Sequence, residues 1–353
     1  MMPAIFRSYL AMMLTTFFFL TNGLFSPPHA AARQIIVNAV GDIMLAGKGT
    51  GTYTRMGYDY PFASLTDDLK NGDMAIGNLE APITRHGKEF TGKKFRFKVN
   101  PAAAKALRRA GFSILTLANN HMMDYGEVGL EETLRHLDNA GILHTGAGSN
   151  LDAARKPALM LIGDKTIAFL AYSRTLPCEF YAGHDRAGTA PGVDSQYVED
   201  ISRAKSVADY VIVSFHWGAE KATIPRLYQI DAAHKAIDAG ADVVIGHHPH
   251  VLQGIERYKN GVIFYSLGNF AFGSMSRSSD VSAIARVTLE DGIKELEVIP
   301  LNVCNREIKF QPRVLNGKGA LNVINHLNQL SKQFGTKINP AGRHFLVVRT
   351  GER

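Results

Sequence analysis

The sequence predicts an α/β fold built on a mixed β-sheet. Five apolar runs of strand character each give way at once to polar or glycine residues: IIVNAV before Gly41-Asp42, DMAI before GNLE, SILTLA before NNH, VIVSF before HWG, and DVVI before GHHPH. Helical patterns lie between them, and this alternation argues for mainly parallel central strands. Three hairpin signatures interrupt the alternation, which makes the sheet mixed and supplies material for a second layer.

The chain has 353 residues, 46% of them hydrophobic, enough to bury a full core. Its start reads as a targeting segment. Arg7 precedes the apolar run YLAMMLTTFFFL (9–20), which is too short to span a bilayer comfortably. Turn formers follow, and Ala30 and Ala32 fit a small-x-small cleavage pattern. Residues 1–32 therefore read as a secretory signal peptide, or, if uncleaved, as an anchor. Either form predicts export, to the periplasm or to the outer face of the inner membrane. Residues 33–353 read as one domain.

Within it, PAAAKALRRAG (101–111) predicts a helix closed by Gly111. VGLEETLRHLDNAG (128–141) predicts a second, with Val128, Leu130, Leu134 and Leu137 near one face. DSQYVEDISRAKSVA (194–208) and LYQIDAAHKAIDAG (227–240) follow the same logic. Hairpins are predicted with turns at Gly163-Asp164, Asn260-Gly261 and Asp291-Gly292, where positive φ is tolerated. A helix near 320–333 and the strand HFLVV (344–348) close the chain.

The net charge of +7 falls to +6 without residues 1–32, which carry Arg7 and no acid. That mild excess suits an anionic substrate or an envelope surface. The one dense basic cluster, KEFTGKKFRFK (88–98), reads as a solvated hairpin rather than a nucleic-acid patch, so no nucleic-acid partner is expected. Cys178 and Cys304 are too few and too far apart in sequence to decide whether they pair.

In open α/β sheets, ligands bind beyond the carboxyl ends of the strands. All five ends here carry donors: Asp42; Asn78 and Glu80; Asn119, Asn120 and His121; His216; and His247, His248 and His250. Parallel strands would gather them on one rim. The set is mixed nitrogen and oxygen without thiolate, which excludes a cysteine-type structural zinc site and suits Mn, Fe or Zn. There are more donors than one tetrahedral ion needs, so two divalent ions are expected. His121 is the candidate general acid or base, with Asp124 as its orienting carboxylate. His86, His136, His144, His184, His234, His326 and His344 lack this context and read as structural or surface residues.

GDIMLAG (41–47), NLEAPIT (78–84), LANNHMMDYGEVGLEETLRHLDNAGI (117–142), GAGSN (146–150), HWGAE (216–220) and the segment 240–273 together resemble the CapA-type poly-γ-glutamate capsule biosynthesis proteins. Those proteins are related to the calcineurin-like metallophosphoesterases. The resemblance implies a two-sheet β-sandwich flanked by helices and a dinuclear metal centre. It implies Asp42, Glu80, Asn120, His216 and the 247–250 histidines as ligands, with His121 over the substrate. Asn78 and Asn119, on the same rim, are the candidate substrate-binding amides. Two positions depart from the broader phosphoesterases. Their Asp-x-His is Asp42-Ile43-Met44 here, and their bridging Gly-Asp is Gly77-Asn78, which makes Glu80 the expected bridge.

Three functions follow as expectations. The first is an exported metal-dependent hydrolase of capsule or envelope polymer, taking an anionic polymer or phosphoester, with membrane-bound capsule synthesis proteins as partners. The second is a non-catalytic accessory of polymer synthesis or export. The third is a periplasmic metal-dependent phosphodiesterase.

Overall fold

Parallel strands in two separate sheets point their carboxyl ends toward the predicted rim. In the first sheet β1 (Ile35–Met44), β2 (Met74–Leu79), β3 (Phe112–Thr116) and β4 (Leu143–Thr145) pair in parallel in that order. In the second, β5 (Lys165–Ser173), β6 (Tyr210–His216) and β7 (Val243–His247) also run parallel, with β6 in the middle. The computed structural model describes residues 33–349 apart from Arg277 and Arg343. The signal-peptide reading of 1–32 lies outside the described residues. No helix among the described residues is long and apolar enough to cross a membrane.

Hairpins widen both sheets, so each is mixed, as predicted. Beyond β1 the first sheet continues antiparallel through Val281–Leu289, Ile293–Asn302, His344–Arg349 and Thr336–Ala341. The second carries the antiparallel strand Ala158–Ile162 beside β5 and the hairpin Ile255–Tyr258/Gly261–Phe264 beside β7.

The two-residue side-chain period of a strand explains the layering. Ile35, Val37 and Ala39 of β1, Met74 and Ile76 of β2, Phe169 of β5, Ile212 of β6, and Val243 and Ile245 of β7 form one buried cluster between the sheets. The alternate residues face outward onto helices. Ile43, Ala75, Leu79 and Leu115 pack with Leu107 and Leu130 on one side. Ala168, Leu170, Val211, Val213 and Val244 pack with Tyr197, Ile201 and Ala236 on the other. Each buried Val, Leu or Ile side chain contributes about 1.5–3 kcal/mol. The result is the helix-flanked two-sheet sandwich that the resemblance implied.

The helices Ala102–Ala110, Gly126–Ala140, Asp194–Lys205, Leu227–Asp238 and Gly317–Ser331 fall where expected. Three details differ. Val128 is 49% exposed, because it lies two residues from Leu130 and so on a different helical face from Leu130, Leu134 and Leu137. The turn predicted at Asn260-Gly261 sits one residue earlier, since Tyr258 pairs with Gly261 and the positive φ falls on Lys259. Gly261 is needed for space instead, as a Cβ there would lie 2.5 Å from Ile237. Segment 88–98 is an irregular loop and not a hairpin. The helix Thr50–Met56 and the strand Thr336–Ala341 had no clear sequence signal. Cys178 is exposed, Cys304 is buried, and both are free thiols.

Gly246 in β7 allows the tightest packing under the site. A Cβ there would lie 1.9 Å from the Tyr265 carbonyl oxygen and 2.6 Å from Trp217 Nε1, which itself donates to that oxygen at 3.0 Å. Gly246→Ala is expected to lower stability by about 1–3 kcal/mol through overpacking. Urea unfolding checks this, and an unchanged midpoint would contradict it.

Candidate metal centre at the strand ends

Register places the donors. Asp42 pairs with Asn78 across β1 and β2, and His216 with His247 across β6 and β7. A one-residue bulge in β1 between Ala39 and Asp42 turns the Asp42 carboxylate into the site. Gly41 permits this, since a Cβ there would lie 1.9 Å from the Gly268 carbonyl oxygen. Below the site, Ser214 Oγ donates to Thr116 Oγ1 at 3.3 Å, joining the two sheets. After β7 the chain turns through His248 (φ 93°) and His250 (φ 57°), both in the left-handed region that favours glycine. Such strain clusters at functional sites.

Asp42 has no exposed surface. Its Oδ1 accepts from Asn78 Nδ2 at 2.9 Å, and its Oδ2 from the His248 backbone N–H at 3.2 Å. His247 Nδ1 and His250 Nδ1 each lie 3.1 Å from a carboxylate oxygen. Burial would raise this carboxyl, yet the His247 and His250 imidazoles hold it well below the usual carboxylate range. Glu80 is also fully buried, and burial followed by the Asp42 charge pushes it well above its usual value. Burial opposes the His250 cation, but the Glu80 and Asp42 carboxyls carry it up to about 9. Burial pushes His216 and His248 down, His248 to about 3, so both rings are neutral and able to donate a lone pair at neutral pH.

Two donor sets share one residue. Glu80, His216 and His248 present ligand atoms within 4.8 Å of one another, and so do Asp42, Glu80 and His250. The residues fit a cation by an independent sign. Glu80 Oε1 and His248 Nδ1 are buried without a hydrogen-bond partner. Leaving such an atom unpaired costs about 1–3 kcal/mol, which coordination of a cation offsets. The His216 and His250 nitrogens stand 3.6 and 3.7 Å from Glu80 Oε1, beyond good hydrogen bonds. The chemistry of the set therefore suits a divalent metal.

Around these sets, Asn120 Oδ1 meets His216 Nε2 at 2.8 Å. The Asn78 amide, expected to bind substrate, is buried among Asp42, Glu80 and His216. Asn119, given the same expectation, is also buried. Its Nδ2 donates to Asn78 Oδ1 and the Leu79 carbonyl, and its Oδ1 accepts from the His121 and Met122 N–H groups. Both amides brace the cluster. Met44, where the broader pattern has histidine, packs in the apolar cluster outside the first sheet.

His121 lies beside this group. Its Nδ1 is 2.7 Å from Asp124 Oδ2, so Nε2 is the nitrogen left to meet a substrate. Burial lowers its pKa, and Asp124 opposes the shift. The residue missed from sequence is Lys93, whose Nζ donates to Asp124 Oδ1 at 2.8 Å and to the Asn120 carbonyl. Its only signal was membership of the basic run 88–98.

The fold and the site together define a helix-flanked, two-sheet α/β sandwich with a buried carboxylate–imidazole cluster at its strand ends. The model of the bacterial capsule synthesis protein family PGA_cap matches residues 36–274, and the chain belongs to that family. It is 34% identical over 283 residues to the capsule biosynthesis protein CapA of Bacillus anthracis, covering 78% of this chain and 69% of that one. It is also 34% identical over 267 residues to the PGA biosynthesis protein CapA of Bacillus subtilis, covering 75% and 70%. A "probable polyglutamine synthesis accessory protein" of Mycobacterium tuberculosis is 27% identical over 342 residues, 88% of each chain. Among solved structures, the calcineurin-like phosphoesterase YfkN of Bacillus subtilis is similar at a TM-score of 0.45 and 13% identity, covering 84% of this chain and 97% of that one.

The protein is expected to bind Mn, Fe or Zn on loading, and His216→Ala and His250→Ala are each expected to lose most of that metal. His234→Ala, whose ring pairs with Glu256 at 3.0 Å away from the cluster, should keep it. Elemental analysis of the three folded variants reads this directly, and equal metal in all three would refute the assignment.

Proposed function

We propose that the protein is an exported metal-dependent hydrolase of capsule or envelope polymer metabolism, acting on an anionic polymer of the poly-γ-glutamate type. The observation that carries this reading is the pair of buried donor sets sharing Glu80, with its Oε1 unpartnered. Two ions are the proposed occupancy: Glu80, His216, His248 and Asn120 would hold one, and Asp42, Glu80 and His250 would hold the other. His247 braces Asp42. When bound, divalent metal polarises a substrate oxygen and lowers the pKa of a water toward about 7.

The chain's own residues do the rest. Asp124 fixes the His121 tautomer through Nδ1 and leaves Nε2 to exchange a proton with the leaving group. Lys93 holds the other Asp124 oxygen, which keeps that carboxylate aligned. The apolar clusters on both faces of the first sheet fix the strand ends that carry the donors. The relatives named for capsule and PGA biosynthesis support a polymer context, and the segment 1–32 supports export. Membrane-bound synthesis proteins are the proposed partners.

A second reading, a non-catalytic accessory, draws on Asn78, whose amide donates to a ligand oxygen of Asp42 where a bridging acid would otherwise sit.

Purified protein loaded with Mn, Fe or Zn should shorten poly-γ-glutamate of defined length, as read by size-exclusion chromatography. His121→Ala should retain metal and lose about 10²–10⁴-fold in rate. Metal-loaded wild type that leaves the polymer intact would sink the hydrolase reading in favour of the accessory. Phosphate release from simple diesters with the polymer untouched would favour a phosphodiesterase.

A further inference from the structure

The basic run 88–98 is not a detached surface feature. Three bonds tie it to Asp124: the Phe90 N–H donates to the Asp124 carbonyl at 2.9 Å, the Phe97 N–H to Oδ2 at 2.8 Å, and Lys93 Nζ to Oδ1 at 2.8 Å. The residue that orients His121 is therefore also the residue that anchors this loop. The Phe97 ring stands 4.9 Å from the His121 ring, and Phe95 stacks on Phe97 at 6.4 Å. Phe95 is 60% exposed, and Lys94 Nζ lies 5.4 Å above its ring. An aromatic path thus runs from open surface to the candidate acid–base residue.

The same segment is strongly basic. Residues 85–98 hold Arg85, Lys88, Lys93, Lys94, Arg96 and Lys98 against one acid, Glu89. Glu89 pairs with Arg96 at 2.8 Å, and Lys93 pairs with Asp124. Arg85, Lys88, Lys94 and Lys98 are exposed, and among the described residues no ion pair joins any of them to an acid. A net positive segment that carries an exposed aromatic ring is matched to a chain with spaced anions and apolar carbons between them. A carboxylate polymer with a methylene-bearing backbone meets both demands. Inorganic polyphosphate, which has no carbon between its anions, meets only the first.

We infer that residues 85–98 form a recognition arm that lays an extended polycarboxylate chain across the mouth of the site, with Phe95 contacting its methylene segments and the exposed cations its carboxylates. The inference rests on the polymer reading above for its substrate, and it adds the subsite and the chemistry that selects it. Arg85, Lys88, Lys94 and Lys98 contact the ligand, and Asp124 and Lys93 are positioning residues that hold the arm against His121.

Fluorescence anisotropy of labelled poly-γ-glutamate and of labelled polyphosphate, at low and high salt, tests it. The full-length protein, Lys88→Glu/Lys94→Glu and Phe95→Ala are compared after melting curves and metal content are shown to match. The charge reversal is expected to weaken poly-γ-glutamate binding roughly tenfold or more at low salt. Phe95→Ala should weaken poly-γ-glutamate binding several-fold and leave polyphosphate binding unchanged. Wild type that binds poly-γ-glutamate without shortening it, with binding lost on charge reversal, still supports the arm while removing the hydrolase reading. No binding by wild type, binding indifferent to the reversal, or a polyphosphate preference indifferent to Phe95 overturns the arm.

Discussion

A buried carboxylate organises this protein. Asp42 has no contact with solvent, and an ionised group in that position persists only where charge and hydrogen bonds replace water. Its partners come from two sheets. Asn78 reaches it from β2 in the first sheet, and His247, His248 and His250 reach it from the end of β7 in the second. The ends of β1 and β7 must therefore meet closely. The inter-sheet apolar cluster supplies the force for that approach, and Gly41 supplies room for the Gly268 carbonyl beside the Asp42 bulge. The positive φ angles of His248 and His250 are the local backbone distortion that this convergence requires.

Two chemistries sit side by side at the rim. The Asp42–Glu80 side is dry, and its groups perturb one another strongly, because two carboxylates so close cannot both ionise freely. At the edges of the centre solvent reaches about a tenth of the His121 side chain, 14% of the Lys93 side chain and 15% of the His250 side chain. Asn119 links the Asp42 and His121 sides, since it holds Asn78 with one end of its amide and the His121 backbone with the other.

Most of the architecture was legible because its signals are local. Apolar runs ending in polar residues marked the strands of both sheets, and Gly111 and the Asp291-Gly292 turn fell where their φ preferences put them. The donors were legible for the same reason, each being fixed to the end of a strand. Lys93 was not. Its run shows no periodicity, and its significance comes from contacts with residues 27 and 31 positions away. The turn at Lys259 slipped by one residue because Gly261 answers a packing demand from Ile237 and not a turn demand.

The amino-acid order by itself determined the strand set, the helices between its members and the inventory of carboxylates, amides and imidazoles, since backbone preference and side-chain period act over a few residues. Only the tertiary structure decided which strand joins which sheet, that Glu80 is common to two donor sets, and that the 88–98 loop closes on Asp124. Those outcomes depend on how sheets twist and pack across long sequence separations, and no local pattern encodes the distance between atoms brought together that way.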